Sequence, residues 1–195
     1  MKEFKEFEDL LKRDRTIRRF DESRNLDNTT LERLVELTRY CASGRNLQPL
    51  KYRLVLDRIE CEKVFPLLAW AGYLPEWNGP EEGERPVAYL VQCLDTRLTK
   101  NCLCDDGLQL QAITLGATAM GLGACIIKSF QGRALEELLG IPEWAIAEYV
   151  IALGYPKEKV VIVDTDGSRD ADIRYYRTED GVHHVPKRPL TEIIL

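Results

Sequence analysis

Two nearly unbroken apolar runs, Pro86-Val87-Ala88-Tyr89-Leu90-Val91 and Glu148–Leu153, flank a segment, Cys104–Gly121, that is apolar almost all round. A strand with no polar alternation is covered on both faces, so Pro86–Val91 reads as a central strand and Glu148–Leu153 as a second buried one. A helix without a polar stripe sits inside a core or at a subunit interface. At 195 residues the chain can bury such a core, and residues 1–195 read as a single domain.

The other elements interleave with these. Phe4–Arg13 has helical spacing. Asp27-Asn28-Thr29-Thr30 opens a second helix in which Thr29-x-x-Glu32 forms a capping-box pattern. Tyr52–Leu56 reads as a strand, Cys61–Ala71 as a helix, and Gly72–Arg85 as a long Pro/Gly/Glu-rich loop suited to a lid or binding loop. Leu122–Ile127 is a short strand, and Arg133–Leu139 a helix stopped by Gly140. Asp172–Tyr176, a turn at Glu179-Asp180-Gly181 and His183-His184-Val185 suggest a hairpin-like tail. Alternating helices and strands give an α+β or α/β domain.

The formal net charge of -5 argues against a nucleic-acid partner, because duplex binding draws on many phosphate contacts. No apolar run reaches membrane-spanning length and the first residues are charged, which makes the cytoplasm the expected location. The six scattered cysteines read as free, buried thiols in a reducing compartment.

Against this acidic background three cationic or polar clusters stand out. Arg15-Thr16-Ile17-Arg18-Arg19-Phe20 offers guanidinium forks and a hydroxyl, a combination that grips phosphate; alone it could equally be a solvated basic turn at a helix end. Ser43-Gly44-Arg45-Asn46-Leu47-Gln48-Pro49 presents amides able to read a heterocycle edge, with Gly44 a candidate left-handed helix cap; it could also be an ordinary polar loop. Pro186-Lys187-Arg188-Pro189 adds two more cations. Together they suggest one phosphorylated cofactor.

Other chemistries lack their residues. Gly121-Leu122-Gly123 follows a helix and precedes a strand, the reverse of a dinucleotide-binding turn. Cys102-x-Cys104 has no second pair to complete a metal site, and His183 and His184, adjacent in a strand, point to opposite faces. There is no nucleophile elbow and no P-loop. A chain without evident side-chain catalysts often borrows its chemistry from a cofactor.

These segments, in this order, resemble the nitroreductase family of flavin-dependent oxidoreductases. The resemblance rests on the arginine motif at 15–20, Ser43-x-x-Asn46-x-Gln48-Pro49, Asp106-Gly107 through Cys125, Leu139–Glu143, Ala152–Pro156 and Pro186–Leu190. It implies an α+β fold with a mixed sheet flanked by helices, a long central apolar helix, and a homodimer holding FMN at the subunit interface. Carried over by position, Arg15, Lys187 and Arg188 would hold the FMN phosphate, with Thr16 near it and the ribityl chain. Arg18 would approach the flavin N1/O2 edge, and the backbone amides of Lys128 and Ser129 would face N5 and O4. Ser43, Asn46 and Gln48 would come from the partner chain. No side chain is catalytic in the strict sense.

The implied activity is hydride transfer from NADH or NADPH to nitroaromatic, quinone-like or other electron-poor acceptors by a ping-pong cycle. The alternatives are a flavin enzyme dedicated to one metabolite, or an FMN-binding storage or sensing module. Three positions depart from the family pattern. Asp14 stands where arginine is frequent, which shifts the phosphate grip toward Arg15 and the C-terminal cations. Leu50 replaces an aromatic residue. Lys128 could extend its side chain toward a substrate or into solvent. Trp70, Tyr73 and Trp77, in or beside the 72–85 loop, are candidates for the wall over the flavin, or ordinary loop packing.

Overall fold

The computed structural model describes residues 1–169 and 171–195. Four strands, β1 (Leu50–Val55), β2 (Ala88–Asp95), β3 (Gly123–Ile127) and β4 (Ala145–Gly154), form the main sheet in the order β1-β2-β4-β3. Its pairings are antiparallel throughout. Every residue of β2 is buried, as its unbroken apolar run predicts. Side chains alternate along it between two cores. Tyr89, Val91 and Cys93 join one core, beneath α3 (Arg58–Val64) and α5 (Gly132–Leu139). Ala88 and Leu90 join the other, beneath α2 (Asn28–Glu36) and α4 (Asp105–Ala119).

Several boundaries differ from expectation for local reasons. The cap of α2 is Asp27, whose carboxylate accepts from Thr30 N at 2.7 Å, and not Thr29, which is already inside the helix. The helix expected over 61–71 begins earlier, because Asp57 caps it through Glu60 N at 3.0 Å. It also ends earlier: Pro66 tightens Phe65–Leu67 into a 3-10 turn, after which Leu68 bridges to Phe130. Helix α4 has no separate apolar and polar sides. It buries Asp105, Gln109, Leu110, Ile113, Thr114 and Ala117 and leaves Leu108 exposed. Of the six cysteines, all free, Cys61, Cys93 and Cys125 are buried while Cys104 is exposed.

The tail builds a second sheet. β5 (Val160–Asp164) pairs in parallel with β7 (His183–Lys187), which pairs antiparallel with β6 (Tyr176–Arg177) in the order β5-β7-β6. The expected hairpin is therefore present but its first strand starts at Tyr176, and β5 was not anticipated.

The segment after α1 (Lys2–Arg13) is laid along the outer edge of β3. Thr16 bridges Ala124, Ile17 N donates to Ala124 O at 2.9 Å, and Phe20 bridges Pro156. Two glycines make room for it. A Cβ on Gly123 would stand 2.8 Å from Ile17 Cβ, and one on Gly154 3.0 Å from Phe20 Cδ1. With Ile17 and Phe20 buried as anchors, the arginines between and before them are left to project. No helix of the described residues is long and apolar enough to cross a membrane.

Candidate functional site

The arginine segment is fixed from below by a residue that sequence reading passed over. Glu158, with a side chain 2% exposed, accepts from the backbone N–H groups of Arg18 and, at 3.1 Å, Arg19 through one oxygen. Its other oxygen receives Arg177 Nη2 at 3.3 Å. A buried carboxylate serving two backbone donors and one guanidinium holds the loop in a single shape. Arg19 pairs with Glu84 at 3.2 Å and takes no part in the cavities beside it.

Arg15 opens into a groove of about 210 Å³ with Thr16, Lys187, Asp14 and the β3 residues Ala124 and Ile126. Its Nη2 donates to Leu11 O at 2.8 Å, while its buried Nε has no hydrogen-bond partner among the described residues. Asp14 turns its carboxylate to α4, accepting from Gln111 at 2.6 Å and from Thr114 and Thr118 at 2.8 and 3.3 Å. The groove thus sets a guanidinium and an ammonium beside an acid that is already engaged. Arg188 does not join it: its guanidinium donates to the carbonyls of Ser168 and Arg169, both at 3.2 Å.

Arg18 faces a second cavity, of about 150 Å³, with Ala69, Trp70, Cys125, Lys128, Ser129 and Tyr175 among its walls. Ile126 lines both cavities, so they meet across β3. Burial pushes the Cys125 thiol up to about 11, with Arg18 pulling the other way, so it stays an uncharged thiol at neutral pH. Lys128 points neither into the cavity nor freely to solvent. Its Nζ reaches Glu148 Oε2 at 2.7 Å and Glu148 O at 2.9 Å, and lies 4.4 Å from the Tyr149 ring centroid.

Ser43, Asn46 and Gln48 line a third cavity, of about 180 Å³, that includes none of the arginines at 15–19. Asp105, at the start of α4, organises this loop: it accepts from Ser43 Oγ at 2.6 Å and Gly44 N at 2.9 Å. Gly44 is not the left-handed residue. Arg45, Asn46 and Gln48 are, at φ 52°, 55° and 49°, a run of strained non-glycine backbone of the kind concentrated in binding loops. Gly44 packs under the exposed side chain of Leu103, which a Cβ would have to displace, its Cδ1 lying 2.6 Å away.

The 72–85 loop meets the tail. Tyr73 N donates to Tyr175 Oη at 3.2 Å and their rings lie 5.0 Å apart. Trp77 lies under Arg177 at 4.2 Å, and Trp70 is buried in the wall of the Arg18 cavity. The strand-sheet-tail arrangement therefore gathers an anion-ready groove and a flat-walled cavity on either side of one strand edge.

Comparison with known proteins fits this geometry. Residues 103–155 match the model of the Nitroreductase family, spanning α4, β3, α5 and β4. A protein of Archaeoglobus fulgidus named as a candidate NADH dehydrogenase/NAD(P)H nitroreductase is 26% identical over 166 residues, 81% of this chain and 90% of its own. A nitroreductase-like protein of Streptococcus mutans superposes with a TM-score of 0.67 at 15% identity, covering 80% of this chain and 91% of that one. The NADPH:FMN oxidoreductase of Vibrio harveyi, solved with NAD+, gives a TM-score of 0.61 at 23% identity, over 77% of this chain and 68% of that one. The structural likenesses establish the fold.

Proposed function

We propose that this chain, whose residues 103–155 match the nitroreductase model and whose fold is shared with nitroreductase structures, is an FMN-dependent NAD(P)H oxidoreductase of that family. The observation that carries this reading is the pair of cavities sharing Ile126, one able to hold a phosphate and the other walled by an arginine and aromatic rings. The guanidinium of Arg15 and the neighbouring Lys187 fit the phosphate, with Thr16 beside them. Arg18 fits the N1/O2 edge of the flavin ring, and Lys128 and Ser129 line the same cavity, where their backbone amides would serve N5 and O4. Bound FMN supplies hydride exchange between a reduced nicotinamide and an electron-poor acceptor, nitroaromatic or quinone-like, the two using one space in turn.

The protein's own part is electrostatic. A fixed guanidinium at N1/O2 favours the ring after it gains charge more than before, and so raises its affinity for electrons. Ser43, Asn46 and Gln48 reach this site from the partner subunit of a homodimer. Their lining a cavity apart from those arginines within one chain supports that, as does the apolar surface a monomer would expose at Leu103, Leu108, Met120, Ile193 and Ile194.

The test is anaerobic. The FMN-loaded protein is expected to bleach on adding NADH or NADPH and to recover its colour with a quinone or nitroaromatic. Protein that binds FMN but bleaches with neither donor would be a flavin store or sensor, and the reading would fall.

A further inference from the structure

The guanidinium of Arg18 is not free in its cavity. Its Nη1 lies 3.3 Å from His183 Nε2, and its Cζ lies 4.8 Å from the centre of the Tyr175 ring. Tyr175 in turn packs on His183 with ring centres 5.2 Å apart, so the three side chains form a closed triangle. His183 is fully buried. A guanidinium can only donate, so Nε2 must accept and the ring proton must sit on Nδ1. That Nδ1 is buried without a partner among the described residues, which leaves Arg18 as the contact that decides the tautomer.

We propose that His183 is the positioning residue for Arg18: in its Nδ1–H tautomer it holds the guanidinium against Tyr175, aimed into the cavity it shares with Lys128 and Ser129. The proposal rests on the flavin reading for its consequence, a fixed electron affinity of the bound ring, but the contact itself exists without flavin. The surroundings keep the imidazole uncharged. Burial lowers His183 to about 4, and Arg18, Arg177 and His184 repel a proton from it. An imidazolium would turn an Nε2–H donor and a like charge on Arg18 and break the triangle. The neutral ring instead supplies an acceptor to the partly buried guanidinium, and β7 carries it there on the strand face opposite His184.

Nitrogen-15 NMR of the flavin-free protein at pH 7 reads the tautomer directly, with His183→Gln identifying the resonances. Protonated Nδ1 and bare, hydrogen-bonded Nε2 are expected. Protonated Nε2 or an imidazolium overturns the proposal whether or not FMN binds, whereas failure of the wild type to bind FMN sinks only the functional reading. Redox titration then reads the consequence. His183→Leu removes the acceptor and is expected to shift the two-electron equilibrium about tenfold toward oxidised flavin, or about 30 mV. His183→Gln places an amide oxygen near the position of Nε2 and is expected to restore the wild-type potential. A wild-type potential in the Leu variant, or a Gln variant no better than Leu, overturns the proposal. Should His183→Leu fail to fold, Tyr175→Leu at the half-exposed corner of the triangle replaces it: a smaller shift in the same direction is expected, and none overturns the clamp.

Discussion

Arg15 and Arg18 lie on one short stretch of chain, yet their surroundings are opposites. Arg15 borders an open groove, with one nitrogen unsatisfied and a lysine nearby. Arg18 is already held, by an imidazole on one side and a phenol ring on the other. On the proposed reading, the difference gives one motif two tasks. A group that grips a ligand is left incomplete until the ligand arrives, and a group that tunes a ligand is fixed beforehand, so that its field needs no rearrangement.

The largest effect is expected where both arginines have a common support. Glu158→Ala leaves Arg177 buried without its counter-charge and frees the backbone of Arg18 and Arg19, at a cost of about 3–5 kcal/mol in urea unfolding. A loss below about 1 kcal/mol would mean that Ile17 and Phe20 alone hold the segment. Acid should loosen the Arg18 side next. An unfolded histidine protonates near 6.5 while His183 resists until about 4, so between these values the unfolded chain binds more protons and stability falls as pH drops. The loss is on the order of 2–3 kcal/mol, visible in thermal melts from pH 7 to 4, and His183→Gln should flatten the curve by that part. Identical pH profiles would break the contrast between the two sides.

On the Arg15 side, Arg15→Ala should weaken FMN binding by about 1.5–3 kcal/mol in a fluorescence titration. Wild-type affinity would remove Arg15 from the phosphate site. The smallest effect belongs to Lys128, whose ion pair with Glu148 is largely exposed. Lys128→Ala should change stability by less than about 1 kcal/mol and leave FMN affinity unaltered. A large rise in KM for the nicotinamide would show that this lysine leaves Glu148 to meet a substrate.

The parts of the molecule written in local pattern were legible. The apolar runs marked β2 and β4 as interior strands, and Gly140 takes the left-handed conformation, φ 61°, that ends α5. The arginine segment announced itself by composition. What escaped reading depends on partners far away in the chain. Glu158 looks like any surface acid in Pro156-Lys157-Glu158-Lys159 until the fold brings it under Arg18 and Arg19. Asp105 looks like half of an acidic pair until Ser43 and Gly44 close on it. β5 is a different case: Val160-Val161-Ile162-Val163 is a β-branched run of the kind strands favour, and that signal was available. Lys128 was open between two directions because nothing local distinguishes them; the choice is made by Glu148 on the neighbouring strand.

The contact between Arg18 and His183 joins residues 165 positions apart in the chain. On a ribosome, the four strands of the main sheet have all been made by Gly154, before His183 exists. The sheet can therefore form while its arginine still lacks its counterpart. In order of synthesis the strands of the main sheet thus come before both supports of the arginine segment, Glu158 and His183.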